Sequence, residues 1–310
     1  MTTRVRLRDD LEIKNPVMNA SGTAAYGEEL SEFLDLSVLG GFVTKGLSIK
    51  EKKGNAPPRI METPCGMINS IGLENVGIPV FIEEKLPYLN QFTTPIVANF
   101  FGETEEDYVI AAEMLSLQGI AALEMNVSCP NISKGGIEFG RDPESLYSLV
   151  KRVREVTKKP LIVKLSPLVT DIRAIARAAV SAGADALTCC NTFPAMAIDE
   201  NLRRPLLGNV TGGLSGPAIK AIVLKIVWDV AQCIEIPVIA SGGACSARDV
   251  IQFLVAGATA VEIGSEALRN PLCFSEIIDG IQEYLVRNRM HSVTEVIGTL
   301  ETALNDSVIG

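Results

Sequence analysis

The residues best suited to chemistry lie in Asn126-Val127-Ser128-Cys129-Pro130-Asn131. Cys129 follows an apolar run that closes at Asn126, and Pro130 with its flanking amides argues for a shaped loop. A thiol there, with an ordinary pKa of about 8.5, can serve as a base or a nucleophile. Lys164, in Val163-Lys164-Leu165, and Lys45, in Thr44-Lys45-Gly46, also end apolar runs. Each can anchor an anion, stabilise a reduced cofactor or form a Schiff base. The weaker alternative for each is a strand-end lysine with a buried stem and a solvated head.

Asn99, Asn126 and Asn191 end further runs. A lone Asn in such a place is usually a turn former. Three on one rim suit a flat ligand, since each amide both donates and accepts. Gly242-Gly243 and Gly264-Ser265 follow the last two runs. They read either as tight turns or as loops where backbone amides approach a phosphate. The stretch from Thr63 to Asn75, rich in small and amide residues, is either a cover for a planar ligand or a surface Ω-loop.

Such residues need a frame that brings strand ends together. Short, nearly continuous apolar runs cover Pro16–Asn19, Gly41–Lys45, Pro95–Asn99, Ala121–Asn126, Pro160–Leu165, Ala186–Cys190, Ile236–Ala240 and Thr259–Gly264. Continuity rather than alternation marks strands buried on both faces. Between them lie amphipathic stretches with helix-start residues Thr104, Asp142, Thr170 and Ser246, and with Gly119, Gly183 and Gly257 as stops. Strands alternating with helices give an open doubly wound sheet or a closed barrel. No Gly-x-Gly-x-x-Gly follows an early strand, and polar residues recur at the strand ends, from Ser21 through Ser265. Both features favour a (β/α)₈ TIM barrel, whose active site gathers at the C-terminal mouth. The surplus residues, 46–94 and 191–216, follow strand ends and are expected as excursions over that mouth.

The net charge of −9 disfavours nucleic acid or an anionic membrane as partner. The start of the chain has no signal-peptide pattern, and no apolar stretch approaches the ~20 residues of a membrane span. Seven cysteines, none in Cys-x-x-Cys spacing, and a single His read as free thiols in a reducing cytoplasm. No metal or iron–sulfur site is expected in this chain.

Taken together, Asn69-Ser70-Ile71-Gly72-Leu73, the segment from Asn126 to Pro143, and Thr211-Gly212-Gly213-Leu214-Ser215-Gly216 resemble the dihydroorotate dehydrogenase family. The resemblance spans nearly the whole chain. It implies oxidation of (S)-dihydroorotate to orotate in pyrimidine biosynthesis by one FMN-binding barrel domain, residues 1–310. By this resemblance FMN meets Ser21, Lys45, Gly46, Asn99, Asn126, Lys164, Cys190, Gly216, Gly242, Gly243, Gly264 and Ser265. Substrate meets Lys45, Asn69, Ser70, Ile71, Gly72, Leu73, Asn126, Asn191 and Thr192. Cys129 is then the base for the C5 proton, and the hydride passes to flavin N5. The run Ile132-Ser133-Lys134-Gly135-Gly136-Ile137-Glu138-Phe139-Gly140-Arg141-Asp142-Pro143 after the Cys loop is similar to the NAD-linked class. That class pairs with a second subunit carrying FAD and a [2Fe–2S] cluster, as a homodimer within a heterotetramer. Gly22-Thr23-Ala24-Ala25-Tyr26-Gly27, Ser265-Glu266-Ala267 and Cys189-Cys190 depart from the runs usual in the family. Competing readings are a dihydropyrimidine dehydrogenase-like flavin subunit, a Schiff-base aldolase using Lys164, and a catalytically silent barrel.

Overall fold

A computed structural model describes residues 1–127 and 139–302. Eight parallel strands build the core: β1 (Val17–Asn19), β2 (Phe42–Val43), β3 (Ile96–Phe100), β4 (Ala122–Asn126), β5 (Leu161–Lys164), β6 (Ala186–Cys189), β7 (Val238–Ser241) and β8 (Ala260–Ile263). Their spatial order is β1-β8-β7-β6-β5-β4-β3-β2. A parallel bridge between Met18 and Gly41 joins β1 to β2 and closes the ring. That seam is reinforced by a side chain. The buried Asn19 amide donates to the Val43 carbonyl at 2.7 Å, and its oxygen accepts from the Val43 N–H at 2.9 Å.

Each expected apolar run overlaps one of these strands. The reason is the two-sided burial that a barrel imposes: one face of each strand packs inside the ring and the other under helices. The main helices are α1 (Glu105–Leu115), α2 (Pro143–Val156), α3 (Ile172–Ser181), α4 (Lys220–Ala231), α5 (Ala247–Val255) and α6 (Cys273–Arg287). α1 starts with a capping box between Thr104 and Asp107. The side chains of Asp142 and Ser246 cap α2 and α5 as expected. At α3 the expectation is corrected. Asp171, not Thr170, is the cap, and its carboxylate accepts from the N–H groups of Arg173 and Ala174. A carboxylate satisfies two orphan amides and also favours the positive end of the helix dipole.

Both excursions do rise over one end of the barrel, and they do so as a single structure. Phe193–Met196, Thr211–Ser215, Gly66–Asn69 and Ile60–Thr63 form a four-stranded antiparallel sheet in that spatial order. Its central pairing joins the two excursions, with Gly213 opposite Asn69 and Ser215 opposite Met67. At the other end of the barrel, the hairpin Val5–Arg8/Leu11–Ile13 sits against the strand starts. There Arg8 donates to the Lys158 carbonyl at 3.0 Å and reaches Asp185 at 3.3 Å, just ahead of β5 and β6. Among the described residues no helix is long and apolar enough to cross a membrane.

Candidate active site

One cavity opens at the C-terminal mouth, between the strand ends and the four-stranded cap. Strand alternation decides which side chains reach it. Asn99 on β3, Asn126 on β4 and Lys164 on β5 all face in, and their neighbours Phe100, Met125 and Val163 are buried in the core. The loops after β7 and β8 bring Gly242, Gly243, Gly264 and Ser265 to the wall, with Gly216 beside them. β4 and β8 stand opposite in the ring, so the glycine loops and the Asn126 side are across the cavity from each other.

The glycines are dictated by space as well as by conformation. Gly243 has φ +86°, and a Cβ there would lie 2.6 Å from the Lys220 Cα. Gly216 has φ +93°, and its Cβ would lie 2.6 Å from the Gly66 Cα. Backbone therefore lies bare at this side of the cavity, as an anion held by amides requires.

Across the cavity the wall is amide-rich. Asn69 donates to the Gly213 carbonyl at 3.3 Å, and Asn191 donates to the Asn126 side-chain oxygen at 3.4 Å. Lys45 stands on the same wall with Glu74, whose carboxylate is 3.4 Å from the Lys45 ammonium and 3.0 Å from the Arg59 guanidinium. The hydrogen bond from Arg59, helped by Lys45, holds the Glu74 carboxyl below its ordinary pKa. Ile71, Gly72, Leu73 and Thr192 complete this side.

The floor holds charges that sequence reasoning passed over. Glu124 from β4 and Glu262 from β8 are fully buried inside the barrel. The Lys164 ammonium lies 2.6 Å from Glu262 Oε2 and 3.6 Å from Glu124 Oε1. Asn99 donates to Glu124 Oε1 at 2.6 Å, and the Thr188 hydroxyl donates to Glu124 Oε2 at 2.7 Å. Burial opposes charge on Lys164, but the two carboxylates outweigh it and raise its pKa. Burial would also raise Glu124; Lys164 and the neighbouring hydrogen bonds, including those from Thr188 and Asn99, reverse that and hold it low. Glu262 has fewer donors, and burial with the nearby Glu124 charge pushes it up to about 8. The Cys190 thiol is pushed up to about 12 by burial, against the pull of Lys164, and is neutral at neutral pH. The signal for both glutamates was present in Ala-Leu-Glu124-Met and Ala-Val-Glu262-Ile: a charge inside an apolar strand, the same signal that marks Lys164.

Of the residues named from sequence, all those described reach the cavity wall except Ser70. Ser70 is fully buried, and both its carbonyl and its hydroxyl accept from the Asn55 amide. Alternation explains this, since Asn69 and Ile71 face the cavity and the residue between them faces away. Cys129, with Ser128, Pro130 and Asn131, lies outside the described residues. The last described position before it is Val127.

The arrangement fits a flavin. The Asn99 side-chain oxygen is buried on the wall with no donor, as a ring N–H of a flat ligand would require. The bare glycine loops suit a phosphate, and a fixed ammonium stands between the two. Among the described residues no group of three or more potential metal ligands forms.

A family model described as dihydroorotate dehydrogenase matches residues 8–285. A dihydroorotate dehydrogenase B (NAD(+)) catalytic subunit from Thermodesulfovibrio yellowstonii is 52% identical over 293 residues, covering 94% of this chain and 97% of that one. The subunit of the same name from Trichlorobacter lovleyi is 52% identical over 292 residues, covering 94% and 96%. Among solved structures, dihydroorotate dehydrogenase of Eimeria tenella in complex with ferulenol superposes with a TM-score of 0.81 at 23% identity. That match covers 96% of this chain and 88% of the other, and it speaks for the barrel fold.

Proposed function

This chain belongs to the dihydroorotate dehydrogenase family, as a catalytic subunit of its NAD-linked class, and from that premise we propose that its whole length is one catalytic domain that holds FMN in the mouth cavity. Its reaction is the oxidation of dihydroorotate to orotate in pyrimidine biosynthesis. The observation that carries the cofactor assignment is the orphaned Asn99 oxygen set on a wall between bare glycine loops and the Lys164 ammonium.

When bound, FMN would supply a hydride acceptor for C6 of dihydroorotate. Gly216, Gly242, Gly243, Gly264 and Ser265 hold its phosphate through backbone amides and the Ser265 hydroxyl. Ser21, Gly46, Asn99 and Cys190 shape the ring's seat. Lys164 supplies fixed positive charge where negative charge develops. Its paired, protonated state also argues against a Schiff-base reading, which needs a free amine. Lys45 takes the substrate carboxylate. Asn69, Asn126, Asn191 and Thr192 orient its ring amides, with Ile71, Gly72 and Leu73 over one face. Cys129 takes the C5 proton as the base.

Among the described residues no group that could hold a metal cluster forms, and in this reading the second redox centre lies on a partner. A partner subunit bearing FAD and a [2Fe–2S] cluster would take the electrons onward to NAD, with two catalytic subunits in a cytoplasmic heterotetramer. The test is anaerobic mixing of the purified yellow protein with dihydroorotate. Flavin absorbance bleaches in the parent protein and only slowly in Cys129→Ser, because a hydroxyl is far harder to deprotonate than a thiol. A colourless protein, or bleaching at the parent rate in Cys129→Ser, overturns respectively the cofactor or the base assignment.

A further inference from the structure

The three buried charges beneath the cavity do not balance. Glu124 and Glu262 are sealed from solvent, Lys164 reaches the cavity wall but is nearly buried, and two carboxylates face one ammonium. With all three ionised the cluster keeps an uncompensated negative charge next to the cofactor seat. Such a charge in a buried site is strongly disfavoured and is ordinarily removed by protonation. The hydrogen bonds show where a proton fits. Each Glu124 oxygen has a donor, Asn99 on one and Thr188 on the other, whereas Glu262 Oε1 is buried with no donor. Glu262 faces Glu124 and Lys164, and the residues beside it in the ring, Met18 and Ser241, carry no charge. Beyond Lys164 the remaining titratable neighbour is the Cys190 thiol, which is neutral.

We propose that Glu262 and Glu124 are positioning residues that hold one proton between them, fixing both where the Lys164 ammonium sits and how much net charge it presents to the cofactor. Each carboxyl pulls the ammonium from a different strand, β4 and β8, so its place is set from opposite sides of the ring. With the proton present the cluster is neutral. When the proton leaves, the cluster turns negative, and reduction of the neighbouring flavin becomes harder. Reduction then draws one proton back from water for each two-electron event. The direction of the Glu262 shift, upward from burial and from Glu124, agrees with this.

The inference rests on the FMN reading, and its test separates the two. The midpoint potential of bound FMN is measured from pH 6 to 10 in the holoenzyme and in Glu262→Gln, whose amide mimics the protonated acid. The two potentials are expected to run together at neutral pH. Above about pH 8 the parent falls below the variant. The divergence approaches about 30 mV per pH unit, the tenfold-per-unit effect of one proton on a two-electron couple. Parallel curves over the whole range overturn the proposal while leaving FMN binding intact. Protein that binds no FMN overturns the underlying reading instead. Should Glu262→Gln not fold, infrared spectroscopy of the parent holoenzyme at pH 7 decides. A protonated-carboxyl band that shifts on flavin reduction supports the shared proton, and absence of any such band overturns it.

Discussion

Asn69 and Gly213 stand opposite each other in the antiparallel cap, 144 residues apart in sequence, and the Asn69 amide donates to the Gly213 carbonyl. This pair couples the two excursions and holds two faces of the cavity in one register. A Cβ on Gly213 would overlap the Thr192 hydroxyl. Gly213→Ala is therefore expected to push Thr192 and Asn69 out of place together. Overpacking of this kind costs about 1–3 kcal/mol. The expected outcome is a lowered Tm and a KM for dihydroorotate raised by about tenfold, with FMN retained. Steady-state kinetics beside a thermal melt check it; an unchanged KM would show that the cap does not position substrate.

Glu74 is the resident counter-ion of Lys45 and Arg59. If Lys45 takes the substrate carboxylate as proposed, that carboxylate must compete with Glu74 for it. The pair is partly exposed, so its strength is of the order of 1 kcal/mol or less. Glu74→Gln should lower the KM for dihydroorotate by about two- to fivefold with kcat little changed. Because Arg59 and Lys45 keep the Glu74 carboxyl below its ordinary range, the advantage should be constant from pH 6 to 9. A rise in KM would mean that Glu74 helps to orient Lys45 and does not compete for it.

The strands and most helix caps were legible because each is written locally. A run such as Leu161-Ile162-Val163 is apolar throughout since both its faces are covered. Asp142 followed by Pro143 marks a helix start by itself. At α3 two capable residues stood side by side, and only geometry chose Asp171 over Thr170. The cap sheet was not legible, because Gly66–Asn69 and Thr211–Ser215 are short, glycine-bearing and paired with strands distant in sequence. Ser70, between Asn69 and Ile71, turns away from the cavity by alternation. Lys164 was found as a charge in an apolar strand, and the same rule applied to Glu124 and Glu262 would have found the floor. Pairing three charges from β4, β5 and β8 into one cluster needed the closed ring.

In the proposed reading Asn99 links the floor to the FMN seat. Its amide nitrogen serves Glu124, while its oxygen waits for a donor on the cavity wall. Asn99→Ala removes both at once. Loss of one satisfied hydrogen bond with its buried partner costs about 1–3 kcal/mol. The dissociation constant for FMN should rise by about ten- to a hundredfold, since about 1.4 kcal/mol is a factor of ten. Fluorescence titration of apoprotein with FMN measures this directly. An affinity within twofold of the parent would remove Asn99 from the flavin seat.

Glu262 also makes a prediction about folding stability. Its pKa is raised in the folded protein to about 8, so between the ordinary carboxylate range and pH 8 the folded state binds more protons than the unfolded one. Stability from this group is then present at low pH and is lost as pH rises through that window. The neighbours do not mask the trend. The lowered Glu124 contributes a constant amount above its unfolded pKa, and the raised Lys164 does so below its own. Glu262→Gln has nothing to ionise at this position. Denaturant melts from pH 5 to 9 should therefore show the parent losing ground to Glu262→Gln as pH rises, by at most about 1.4 kcal/mol per pH unit. The loss should level off above pH 8, once Glu262 is ionised in both states. A stability difference between the two proteins that does not move with pH would mean that Glu262 is charged throughout, with Lys164 alone sufficient to hold both carboxylates.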